Sequence, residues 1–170
     1  MLFSVLLLFH SLIFAEAQLD CPQLDKDYIM GNYTACSSGL EITQSMRCRY
    51  LKAICYMADS SYDKARYELS LISADVKSEK FDEFNGLALT SLTEVAFLQG
   101  DATRAKTLSL AVSDVLIKKL PFSYPYYINE VLLIKSSFDA KDIQDANKRI
   151  AILKNSKADT IFFSSLDPWQ

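Results

Sequence analysis

The sequence is nearly empty of histidine: His10 is the only one in 170 residues, and it stands in the apolar run that opens the chain. Everything after residue 17 is therefore without imidazole. That removes Ser-His-Asp and Cys-His nucleophile pairs, histidine-ligated metals and histidine general bases. Glycine and proline are also scarce, four of each, so breaks are few and long helices are favoured over a many-turned β-sandwich. No G-x-G-x-x-G or phosphate-loop pattern is present. Charge of either sign is modest, with 18 basic and 21 acidic residues giving −3. That balance argues against nucleic acid or an anionic membrane as the main partner. Lys118-Lys119 and Arg47/Arg49 read as ordinary solvated charge.

What is present begins with export. The run from Leu2 to Phe14, broken only by Ser4, His10 and Ser11, ends at Ala15-Glu16-Ala17. An apolar core followed by a small-x-small site is the pattern of a secretory signal peptide over residues 1–17, although no Lys or Arg precedes the core. The run is shorter than the roughly 20 apolar residues of a spanning helix, and no stop-transfer flank follows it. Cys21 follows Asp20, where a lipoprotein site needs a small residue. Cleavage near Ala17 predicts a secreted or periplasmic protein with no integral membrane anchor, whose 18 basic side chains face 20 acidic ones. Asn32-Tyr33-Thr34 is an N-glycosylation acceptor pattern that matters only in a eukaryotic host.

After cleavage about 150 residues remain, enough for one domain with a real core, and a hydrophobic fraction of 50% can fill it. All four cysteines, Cys21, Cys36, Cys48 and Cys55, lie early, and an even number in an exported chain predicts two disulfides. Cys48 and Cys55 are seven residues apart on an expected helix, about 10 Å along its axis, which is beyond disulfide reach. Two connectivities survive. If the segment at Cys21 runs parallel to the helix carrying Cys48, with the Cys36 helix antiparallel between them, Cys21–Cys48 and Cys36–Cys55 is the consistent pairing. A zinc site is the rival reading, but it lacks any C-x-x-C pair.

Four stretches repeat: Asn32 to Cys36, Ser61 to Ala65, Asp101 to Ala105 and Asp142 to Ala146. Each opens with a good N-cap residue and has a small side chain four positions on, which lets a second helix approach the one before it. Helical apolar spacing follows each small residue: Ala65, Leu69, Ile72; Ala105, Leu108, Val112; Ala146, Ile150, Leu153. First helices precede them, with Leu51, Ile54, Cys55 and Ala58, then Leu89, Leu92 and Ala96, then Val131, Ile134 and Phe138. The small residues fall 29, 40 and 41 positions apart. The expected fold is all-α, three to four antiparallel helical hairpins over residues 18–155, followed by an apolar tail over 156–170.

The stretch from Tyr56 to Ala65 resembles the turn and second-helix start of a tetratricopeptide repeat, and Phe97 to Asp101 with Ala105 resembles the same turn. The likeness spans roughly residues 22–155 and is specific at those two turns. It implies an α-solenoid of stacked hairpins whose concave face, lined by first helices, holds a peptide or another protein. The period exceeds the usual one of about 34 residues, and Arg49, Leu89 and Glu130 stand where the first helix carries its characteristic aromatic. Longer-armed helical repeats fit as well, and an irregular α-bundle containing similar hairpins is the alternative architecture.

Two further patterns carry little chemistry. Ser61-Tyr62-Asp63-Lys64 matches S-x-x-K, but Ser61 is explained as an N-cap and no S-D-N or K-T-G partner follows. Asp139, Asp142 and Asp145 recur every third residue, unlike a calcium loop, and fit an acid-rich helix start. No catalytic, cofactor-binding or metal-ligating residue is expected. Candidates for partner contact are Phe122, Tyr124, Tyr126 and Tyr127 in the segment from Leu120 to Tyr127, which reads as a docking loop or a rigid wedge between hairpins. Phe162, Phe163 and Trp169 in the tail either cap the open end of the core or meet a partner. The leading expectation is an exported, non-enzymatic scaffold or adaptor that binds another protein or peptide and no nucleic acid. A small carrier with an apolar pocket for a lipid is the alternative. An enzyme working through carboxylates, such as Asp82 or Glu83 beside Asp25 or Asp27, is third.

Overall fold

The computed structural model describes residues 21–38, 45–73 and 80–155. The expected signal peptide at 1–17 and the tail residues Phe162, Phe163 and Trp169 lie outside them. The described residues form eight α-helices and no strand: α1 Pro22–Ile29, α2 Tyr33–Ser38, α3 Met46–Ala58, α4 Tyr62–Ser73, α5 Glu83–Leu98, α6 Ala102–Lys119, α7 Tyr124–Asp139 and α8 Ile143–Asn155. Local chemistry starts several of them. Pro22 occupies the first position of α1, where its missing amide costs nothing. Asp82 and Asn85 form a reciprocal capping box on α5, with bonds of 2.9 and 3.1 Å. Asp101 and Asp142 cap α6 and α8 by accepting from the amides of Arg104 and Asp145.

Four interhelical turns share one geometry. In each, the middle residue is left-handed: Gly31 (φ 73°), Ser60 (58°), Gly100 (81°) and Lys141 (63°). The next amide reaches back five residues, from Asn32 to Asp27, Ser61 to Tyr56, Asp101 to Ala96 and Asp142 to Ser137, at 2.7–3.2 Å. This is the closure that satisfies the last carbonyls of a helix before the chain reverses. Four residues beyond each turn's end stand Cys36, Ala65, Ala105 and Ala146, all with 0% exposure. A larger side chain there would hold the second helix away from its neighbour.

Packing follows chain order. Each helix packs on the next, and the odd-numbered helices also pack in a row, α1 on α3, α3 on α5 and α5 on α7. One apolar cluster runs from Leu24 and Tyr28 through Tyr50, Leu51, Ile54, Leu69 and Leu87 to Ile128 and Leu132. Smaller clusters join α6 to α7 through Val112, Leu116 and Tyr126, and α7 to α8 through Ile134, Ala146 and Leu153. At the α5–α7 crossing a Cβ on Gly86 would stand 2.9 Å from Pro125 Cγ, so glycine is needed for the approach. Disulfides Cys21–Cys48 and Cys36–Cys55, each with Cα atoms 5.9 Å apart, bind α3 to the start of α1 and to α2.

Two sequence expectations are corrected. Arg47 is no solvated charge: its guanidinium grips Asp25 through two bonds of 3.0 and 2.6 Å, with side-chain exposures of 5% and 7%. The sequence hides this because the partners are 22 residues apart on different helices. The segment from Leu120 to Tyr127 is not all connection, since Tyr124 already opens α7. Ser123 caps that helix, and Pro125 sits in its first turn where no amide is required.

Candidate functional site: a tyrosine-lined face around Glu94

From Phe84 to Leu98, α5 carries one ionisable side chain, Glu94. One turn before it, Ser91 Oγ lies 3.1 Å from the hydroxyl of Tyr50 on α3, whose ring meets Phe84 edge-on at 6.3 Å. One turn after it, the Phe97 ring lies beneath Lys135 of α7, with Nζ 4.0 Å from the centroid. Thr90 on the α7 side donates to the Pro125 carbonyl at 3.3 Å. Glu94 thus belongs to the stripe of α5 between α3 and α7, the middle of the row formed by α1, α3, α5 and α7.

The electrostatics are unusual for a helix surface. Glu94 is half-buried, and among the described residues nothing donates a hydrogen bond to it or stands at ion-pair distance. Burial pushes its carboxyl up to about 7, against the pull of the Lys135 ammonium. Burial in turn lowers Lys135, opposed by Glu94 and Asp139. Tyr28, Tyr50 and Tyr124 are all raised above the ordinary phenol value by burial, and each also feels Glu94. These phenols are neutral throughout the physiological range. Tyr28 and Tyr124 act on one another although α1 and α7 are not adjacent in the row, so the face is drawn in around Glu94.

Of the aromatics marked by the sequence, Tyr124 reaches this face and the others do not. Tyr126 is buried, with its ring edge-on to Phe122 at 6.1 Å and to Tyr127 at 5.5 Å. Tyr127 packs into the two smaller clusters. Phe122 is 69% exposed and left-handed, at the tip between α6 and α7. The remaining sequence candidates have structural partners. Lys64 lies 5.6 Å from the Tyr56 ring centroid. Asp142 and Asp145 hold Lys106 of α6 at 2.6 and 3.5 Å, and Asp145 and Glu130 hold Arg149, which ties α6, α7 and α8 together. Asp25 is committed to Arg47, Asp27 accepts from Gln23, and Asp82 caps α5. No group of three His, Cys, Asp or Glu suited to a metal occurs among the described residues.

Sequence reading missed Glu94, Tyr28, Tyr50 and Lys135. The readable signal was the single charge in an otherwise uncharged fifteen-residue stretch of α5. The tyrosines gave none, because their convergence depends on how four helices cross. Neither the protein-family models, the curated proteins nor the solved structures contain a match to this chain. Among the described residues no helix is long and apolar enough to cross a membrane, and the two disulfides are compatible with an extracellular location.

Proposed function

We propose that the chain is an exported, non-enzymatic scaffold in which tetratricopeptide-like hairpins stack in series and offer the face of α1, α3, α5 and α7 to a peptide segment of another protein. The observation that carries this reading is Glu94, half-buried among tyrosines with no hydrogen-bond donor of its own. A protein core does not ordinarily leave such a group unanswered, whereas a binding surface leaves it for a ligand. The four like turns and the row of odd-numbered helices support it, since together they hold one face in register along the molecule.

A photo-crosslinking amino acid placed at Tyr124, on the proposed face, is compared with the same group at Tyr67, exposed on α4. In the exported fraction the Tyr124 position should capture a discrete partner that the Tyr67 position does not. Capture from Tyr67 alone, or from neither position, would sink the assignment of the face.

A further inference from the structure

The following rests on the odd-numbered helices forming a peptide-binding face, and it concerns the chemistry of what they receive. Glu94 is the only acid in its stripe of α5. Lys135 acts on it through space, while its ammonium stands over the Phe97 ring at 4.0 Å. The other groups that face the carboxylate, Tyr28, Tyr50 and Tyr124, bring hydroxyls and π-electrons but no positive charge. A carboxylate taken partly out of water and given no donor is destabilised, and nothing in the chain offsets the cost.

A ligand can. A neutral apolar segment laid over Glu94 would bury the carboxylate further, and an acidic one would add repulsion. A cationic side chain supplies the missing donor and attraction, and the half-buried Tyr124 ring beside it adds a cation–π contact. We infer that Glu94, with Tyr124 beside it, receives a lysine or arginine side chain of the partner peptide. The mild acidity of the chain does not explain such a preference by itself, because the acid is placed singly at the centre of the row and is not spread over the surface.

The test uses two immobilised peptide libraries of matched aliphatic and aromatic composition, one with lysine or arginine fixed at the central position and one with glutamine there. The secreted chain is applied as wild type, as Glu94→Gln and as Tyr67→Ala, each checked for unchanged helical circular dichroism. Wild type should retain the basic library about tenfold better than the neutral one, the size of one charge-assisted contact. Glu94→Gln should level the ratio, and Tyr67→Ala should leave it alone. Equal retention of the two libraries by wild type overturns the basic-side-chain assignment while leaving the peptide face standing. A preference that survives Glu94→Gln overturns the role of Glu94. Retention of neither library overturns both this inference and the face on which it rests.

Discussion

Asp25 and Arg47 bury opposite charges between α1 and α3, and a buried pair is worth most as a constraint on its own breakage. The desolvation of both ions offsets much of their attraction, but removing one partner leaves the other charge stranded. Asp25→Asn should therefore lower stability by about 3–5 kcal/mol, read from urea unfolding with the disulfides intact. An Asp25→Leu/Arg47→Met pair should recover most of that loss. Glu94 makes the opposite case. Its folded value near 7 lies above the ordinary carboxyl value of 4.5. The folded chain thus keeps a proton that the unfolded chain has already lost, and its contribution to stability falls as pH rises from about 4.5 to about 7, then stays level. Glu94→Gln, which cannot ionise, should gain on wild type across that window and show no relative change above it. Melting temperatures of both proteins from pH 4 to 8 provide the check, and a constant difference throughout would remove the perturbed carboxyl.

Helical elements were the part most legible in sequence, because their signals are local. N-cap residues and the small residues four positions on mark where α2, α4, α6 and α8 begin, and the observed turns fall there. The start of α7 was missed, since Pro125 reads as a breaker until Ser123 is recognised as its cap. The turns also carry an uneven load. Gly31 and Gly100 accept positive φ freely, whereas Ser60 and Lys141 adopt it with a Cβ in the way. Lys141→Gly should raise stability by about 0.5–1 kcal/mol, and Gly100→Ala should lower it by about the same amount, both by thermal unfolding. If Lys141→Gly were neutral, the left-handed turn before α8 would not be the populated one.

At the scale of the whole molecule, what sequence could not supply was the relation between distant helices. The Arg47–Asp25 pair, the Lys106 bridge from α6 to α8 and the gathering of Tyr28, Tyr50 and Tyr124 near Glu94 all join residues 22 or more apart. Such contacts leave no periodic trace. The disulfide positions were more readable because helix geometry forbids Cys48–Cys55 and narrows what remains. The central claim concerns this long-range order: hairpins close one another's apolar faces in sequence, so that the odd-numbered helices form a row with Glu94 at its middle. Methyl and aromatic nuclear Overhauser contacts in the oxidised protein test it most directly. Contacts of α1 with α3, α3 with α5 and α5 with α7, including Tyr50 with Phe84, are expected, together with none joining α2 or α4 to α8. A network of contacts between α2 or α4 and α8, drawing the helices around one common centre, would contradict the account.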